Sequence, residues 1–456
     1  MAGRRFTALT LVAAAAAAPL HAAPPPLPKD AEIEKMVAAV SAARIEARIR
    51  KLVSFETRNT LSETQSETRG IGAARRWIKA ELEQCAADSG KRLTVEFDEH
   101  LAPVSARIPK PTPVVNMVAT LPGARAEHRD RVFVVSGHYD SMRSTPVAAD
   151  GLAPGANDDG SGTAVVMELA CVMARHAFDA TLVFMTVAGE EQGLLGATSY
   201  ARAAKARGVN IEGMITNDIV GNSRAADGTV VNDRMRVFAE GVPPAREMSE
   251  ETQLLVRTGG ENDSGPRQLG RHVKAAQEAY VPGFKVDLIY RRDRYLRGGD
   301  HFPFLDLGYP ALRFTEYVED FRHQHQDVRE ENGVRYGDLP EFVDFAYAAN
   351  VARVNLATLA TLARAPAPPA EVQMENFFLE NNTTLRWKAA ADPRVTGYRV
   401  LWRDTAHPFW QHHQDVGRVE RTTVVGVSKD NVVFGLQALD KAGNASVAVF
   451  PKPLRR

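Results

Sequence analysis

The sequence predicts an α/β fold: a mostly parallel central sheet flanked by helices, followed by a small C-terminal all-β sandwich. Three observations predict it. Continuous apolar runs of strand length, RVFVVS at residues 131–136 and LVFMTV at 182–187, look like strands buried on both faces of a parallel sheet. Such strands alternate with helical patterns along the first three quarters of the chain. Beyond a Pro- and Ala-rich linker at 364–370 (RAPAPPA), the hydrophobic period drops to two.

The chain has 456 residues, enough for two domains and a large core. Lys plus Arg (56) equals Asp plus Glu (56), and a formal charge of zero argues against a nucleic-acid or anionic-membrane partner. The N-terminus reads as a signal peptide over residues 1–22: Arg4 and Arg5, an Ala/Leu-rich stretch to Leu20, then small residues at Ala22 and Ala23. That stretch is too short to anchor in a bilayer, and no later run is long enough, so no membrane insertion is expected. The mature protein is expected to be secreted or periplasmic. The only cysteines, Cys85 and Cys171, each fall in a predicted helix, and two buried thiols are favoured over a disulfide.

Residues 32–53 form one helical pattern and 71–87 another, with strands expected at 92–97 and 114–120. The strand at 131–136 ends in Gly137-His138-Tyr139-Asp140. The loop PGANDDGSG then opens a helix over about 162–176. The strand at 182–187 stops at Gly189, delivers Glu190 and Glu191, and passes into a helix over 194–206. A short strand at 214–216 ends in Asn217-Asp218. Between 221 and 300 the expected elements are strands at 234–239 and 286–290, a helix at 267–280 and a turn-like stretch at 258–266. The basic run RRDRYLRGG follows, more often a solvated face than a binding site. Residues 302–314 are expected to return to the sheet, and 340–363 to form a long closing helix. After the linker, strands at 384–387, 397–402 and 431–438 build the small β unit.

Polar residues collect where the apolar strands end: His138 and Asp140, Asp158 and Asp159, Glu190 and Glu191, Asp218, and His323 and His325. In open α/β sheets the crevice at the carboxyl ends of the strands is where ligands sit. Each pair has an innocent reading, as a hydrogen-bonded core pair, a helix cap or a solvated turn. Several acid-bearing strand ends meeting at one sheet edge need counter-charge, and imidazole plus carboxylate suits zinc. There are more ligands than one zinc requires, which favours a pair of ions sharing a carboxylate.

The ordered set GHYDS, PGANDDGSG, GEEQGLLG, ND, RGGDHFPF and HQHQD resembles the di-zinc aminopeptidases of peptidase clan MH, relatives of glutamate carboxypeptidase II and glutaminyl cyclase, over residues 40–362. The resemblance implies their phosphorylase/hydrolase-like zinc exopeptidase fold over residues 23–366. It assigns His138 and Asp218 to one Zn²⁺ and Glu191 with a histidine of FRHQHQD to the other. Asp158 would bridge, Asp140 would orient the His138 ring, and Glu190 would be the general base. The family's usual ending, His-Thr-x-x-Asp-Thr, fits His323, four residues before Asp327, and not His325, so His323 is taken as the last ligand. His301 in GGDHFPF lies beside the site in the family. A Tyr that steadies the oxyanion immediately before the last histidine in some relatives is replaced here by Arg322. The implied activity is removal of one residue from a peptide's free N-terminus. The rival is an exopeptidase reading a C-terminal carboxylate through Arg291, Arg292, Arg294 and Arg297; a non-catalytic binding scaffold ranks lower because no ligand is missing. Residues 369–456, with Trp387, Tyr398 and VFGLQALDKAGNAS, resemble a fibronectin type III domain that binds or spaces.

Overall fold

The computed structural model describes residues 23–244 and 248–454. The expected signal peptide lies outside the described residues. The main sheet has eight strands: β1 (Thr94–Ala102), β2 (Thr112–Leu121), β3 (Arg131–His138), β4 (Thr181–Val187), β5 (Asn210–Asn217), β6 (Arg234–Ala239), β7 (Lys285–Ile289) and β8 (Ala311–Glu316). Their order is β1-β2-β4-β3-β5-β8-β6-β7. The middle four, β4, β3, β5 and β8, run parallel, as do β6 and β7. Antiparallel pairings join β1 to β2, β2 to β4 and β6 to β8. Every residue of β3 and β4 is buried, the physical origin of their unbroken apolar sequences.

Helices cover both faces. On one lie α1 (Ala31–Ala39), α2 (Ala42–Val53), α3 (Gly70–Asp88), α4 (Gly160–Met173), α7 (Gly265–Tyr280) and α9 (Phe345–Arg364), around a core that includes Phe133, Val135, Phe184 and Ile215. On the other, α5 (Leu195–Ala206) and α8 (Phe302–Asp306) cover Val132, Val134, Val183 and Met185. Alternate residues of β3 thus serve opposite cores.

The structure corrects several sequence expectations. The pattern over 32–53 is two helices, because Ser41 takes an extended conformation and its side chain accepts the Arg44 N–H at 3.3 Å, starting a new helix. Residues 302–314 begin as α8, with Pro303 in the first helical turn, and only then enter β8. A further helix, α6 (Glu250–Arg257), buries none of its residues fully; Leu254 and Leu255 are only partly covered. Cys85 and Cys171 form a disulfide: α3 and α4 pack side by side and bring the Cα atoms to 5.0 Å. A crosslink between residues 86 apart in sequence contributes about 2–4 kcal/mol.

After a short hairpin, β9 (Arg329–Glu331) and β10 (Val334–Tyr336), and after α9, the chain enters the C-terminal unit. It comprises β11 (Ala370–Glu375), β12 (Thr383–Lys388), β13 (Val395–Asp404), β14 (His412–Val416), β15 (Arg421–Val424), β16 (Val432–Asp440) and β17 (Lys452–Leu454). These form a four-stranded sheet, β15-β12-β11-β17, and a three-stranded one, β14-β13-β16, over a core of Leu385, Trp387, Tyr398, Val400, Trp402 and Leu436. A buried ion cluster ties this unit to the larger one: Arg403 pairs with Asp263, which also accepts from Arg271 at 3.1 Å.

Between α7 and α9, His272 is buried against Thr361, Nε2 to Oγ1 2.9 Å, and burial pushes its pKa down to about 4. The folded value lies below the ordinary 6.5, so the neutral imidazole's stabilisation is complete above pH 6.5 and is lost as pH falls towards 4. The loss should reach ~3 kcal/mol. Urea midpoints at pH 7 and pH 4.5 should converge more closely in His272→Gln than in the parent; equal drops would rule this contribution out.

Candidate metal centre

Consecutive sheet elements deliver the site. His138 ends β3, Asp158 and Asp159 precede α4, Glu190 and Glu191 follow β4, and Asp218 follows β5. The shared parallel direction of β3, β4 and β5 puts all these ends on one edge. Ligand atoms of His138, Asp158 and Glu191 lie within 4.8 Å of one another, and so do those of His138, Glu190 and Asp218.

Asp158 stands at the centre. Its Oδ1 is 3.2 Å from His138 Nε2, and its Oδ2 is 3.0 Å from His325 Nε2. Asp218 Oδ1 lies on the His138 side, 3.9 Å from Nε2. Glu191 Oε2 lies on the other side, 3.1 Å from His325 Nε2. One carboxylate therefore spans two donor sets of the same composition, one imidazole and one further carboxylate each.

The last histidine differs from the sequence expectation: His325, not His323, faces Asp158 and Glu191. His323 instead stacks on Phe342 at 3.8 Å between ring centroids, with Nε2 3.9 Å from Asp320. The spacing rule failed because His325 takes φ +55°, a left-handed turn that redirects the chain, while Asp327 is held outside the cluster by Arg143 and Ser144. The residue preceding the histidine is then Gln324 rather than Arg322, and Gln324 Nε2 donates to Glu319 at 3.1 Å. His301 is buried beside the cluster and turned away from it, its Nε2 2.9 Å from the Arg292 carbonyl oxygen, and burial lowers its pKa to about 4.

A layer of further contacts fixes these groups. Asp140 accepts the backbone N–H groups of Glu190 (3.3 Å) and Glu191 (3.2 Å), and its own carbonyl oxygen and carboxylate lie 3.2 and 3.5 Å from His138 Nδ1. Asp159 caps α4 through the Gly162 N–H at 2.9 Å and also accepts the His138 N–H at 2.9 Å. A Cβ on Gly162 would meet that carboxylate at 2.5 Å, so only glycine fits there. The Asp158–Asp159 peptide is cis. The sequence reading missed three supports. Asp338 accepts the N–H of Asn157 (2.9 Å) and of Asp158 (2.7 Å). Arg58, fully buried, binds the carbonyls of Tyr139, Pro154 and Gly155. Arg313 holds Asp218 at 2.9 Å and Asp293 at 3.2 Å. Nothing local marks them, because each acts from a distant segment.

The electrostatics show a shortage of positive charge. Burial pushes Glu190 well above the usual carboxylate range, with Asp218, Glu191 and Asp300 adding to it against the pull of His138. Burial likewise raises Asp218, although Arg313 opposes it, and raises Glu191 against His325. Despite its own burial, His325 is driven up to about 11 by Glu191 and Asp158, and His138 rises through Asp140 and Asp158. Carboxylates that cannot all ionise, facing imidazoles forced to hold protons, are groups that dications would satisfy. The donor set of imidazole and carboxylate fits zinc.

Residues 116–337 match the profile of peptidase family M28. A probable zinc metalloprotease of Pyrenophora tritici-repentis is 47% identical over 429 residues, covering 94% of this chain and 88% of the relative. The chain belongs to peptidase family M28. Among solved structures, LapB from Legionella pneumophila aligns with a TM-score of 0.52 at 18% identity, covering 75% of this chain and 78% of LapB. An aminopeptidase from Aneurinibacillus sp. strain AM-1 aligns at 0.51 and 16% identity, covering 73% and 96%. Both share the fold. Among the described residues no helix is long and apolar enough to cross a membrane.

Proposed function

We propose that the protein is an exported zinc aminopeptidase that hydrolyses the N-terminal bond of peptides, with two zinc ions per chain. The observation that carries this reading is the division of Asp158 between His138 and His325. His138, Asp218 and Asp158 would hold one ion, and His325, Glu191 and Asp158 the other. When bound, the pair would acidify a water and polarise the scissile carbonyl. Glu190, half-buried at the edge of the cluster, takes the proton of the attacking water and returns it to the leaving amine. Its raised affinity for a proton suits both transfers. Asp140 holds the Glu190–Glu191 backbone and the His138 ring in register for that exchange.

Recognition of a free N-terminus is supported by surplus acid. Asp300 is buried, neither of its carboxylate oxygens has a hydrogen-bond partner among the described residues, and it lies in the field of Asp140 and Asp218. Such a field favours an ammonium group. Export is supported by the N-terminal sequence and by the Cys85–Cys171 disulfide, since such bonds persist in oxidising compartments. The C-terminal unit, on its fibronectin type III resemblance, binds or spaces and takes no part in the chemistry.

N-terminal acetylation of a cleaved dipeptide is the direct test. The free amine should be turned over and the acetylated form should not. Comparable rates on both would overturn the aminopeptidase reading.

A further inference from the structure

The arginine-rich run after β7 divides unequally. Arg292 pairs with Asp306 and Glu240 and lies over the Phe302 ring. Arg294 pairs with Asp293 and, at 2.7 Å, with Glu319. Arg291 stacks 3.9 Å over Tyr295 and donates to its hydroxyl. Arg297 differs: among the described residues no carboxylate pairs with it, and its one hydrogen-bond-range contact is His325 Nδ1, at 3.3 Å from Nη1.

His325 Nδ1 cannot serve Arg297 as an acceptor when Nε2 holds a metal. A neutral imidazole that gives its Nε2 lone pair to a cation carries its proton on Nδ1. Guanidinium has only donors and does not deprotonate. Two N–H donors would then face each other, and Arg297 must turn to another acceptor. The nearby acids are engaged: Asp327 by Arg143 and Ser144, Glu191 and Asp158 by the His325 ring. Arg297 is only half-buried and otherwise faces water, which a substrate carboxylate would replace with a charge-assisted pair.

Position says which part of the substrate. Arg297 stands beside His325, and two residues later a Cβ on Gly299 would come within 3.4 Å of Asp218 Oδ2, on the opposite side of Asp158. The segment 297–300 therefore crosses the site from one donor set to the other. It carries a cation at the His325 end and, at the Asp218 end, the Asp300 carboxylate, which has no hydrogen-bond partner among the described residues. Four residues of chain reach at most about 10 Å between their end Cα atoms, the scale of a dipeptide. A zwitterionic dipeptide has the complementary polarity.

We infer that Arg297 binds the α-carboxylate of the substrate's leaving residue, making the enzyme selective for dipeptides whose amine lies towards Asp300. The inference rests on the aminopeptidase reading above, with His325 as a metal ligand.

Binding can be measured without turnover in zinc-loaded Glu190→Gln, by titration calorimetry with leucyl-glycine, its C-terminal amide and its N-acetyl derivative. Leucyl-glycine should bind about 10- to 100-fold tighter than the amide, the range of a charge-assisted hydrogen-bonded pair. Adding Arg297→Met should erase that ratio, and Arg297→Lys should restore part of it. Equal affinity for acid and amide, or a ratio that survives Arg297→Met, overturns the assignment. N-acetyl-leucyl-glycine binding as well as leucyl-glycine would overturn the aminopeptidase reading while leaving the Arg297 ratio to be judged separately. Failure of all three peptides to bind would overturn both. In turnover by the otherwise native enzyme, the Arg297→Met loss should fall on KM for the free acid. A kcat loss equal for acid and amide would assign the guanidinium to the oxyanion instead.

Discussion

Glu190→Gln is expected to lower kcat by about 10²–10⁴-fold while leaving the zinc content of the purified protein at its parent value. The substitution keeps the shape of the side chain and removes only the ability to accept a proton. The backbone N–H of Glu190, which donates to Asp140 at 3.3 Å, is untouched, so the neighbouring Glu191 keeps its place. Glu190 and Glu191 are adjacent in sequence yet differ in surroundings: Glu191 points at His325, 3.1 Å from Nε2, and has no freedom to shuttle protons while holding a cation. An exposed glutamate would be too weak a base at neutral pH. Burial and the acids around Glu190 raise its proton affinity towards the range where acceptance and return are both feasible. Bound zinc would lower that affinity again. Zinc counted by elemental analysis beside kcat separates the two roles. A variant that keeps its zinc and full activity would remove Glu190 from the chemistry.

The part of the site visible in sequence is the part that strands deliver. β3 and β4 are buried on both faces, so their apolar runs end abruptly at polar residues, and His138, Glu190 and Glu191 stand out against them. Asp218 follows β5 in the same way, and the glycines of PGANDDGSG mark a loop in which backbone and carboxylate approach closely around Asp158. What stayed hidden depends on contacts between segments far apart in the chain. Asp338 reaches back 180 positions to the Asp158 N–H, and Arg58 reaches 97 forward to the Gly155 carbonyl. Neither has a local pattern to betray it, since a buried Arg or Asp reads like any surface charge. The Cys85–Cys171 bond was hidden for the same reason: it depends on how α3 lies against α4, not on either helix alone. Short α6 covers Leu254 and Leu255 only partly, so no buried core corresponds to it.

The choice between His323 and His325 yields the second large effect. His325→Ala should reduce bound zinc from two ions per chain to about one and cut kcat/KM well beyond the 10–100-fold typical of groups that merely support a metal ligand. His323→Ala should keep both ions. Its cost should be confined to stability, about 0.5–1.5 kcal/mol for the lost stack on Phe342 together with its buried area. The two residues are two positions apart, flanking Gln324, so differences in expression or general tolerance to mutation should affect both alike. What separates them is the backbone: φ +55° at His325 turns its ring towards Asp158 and Glu191, while His323 remains against Phe342. The result also bears on Asp158. If His325→Ala empties one site, Asp158 loses the partner of its Oδ2 and keeps only that of its Oδ1, and the remaining ion should reside with His138 and Asp218. Loss of zinc from His323→Ala with full retention in His325→Ala would place the second ion elsewhere and leave Asp158 serving one metal instead of two.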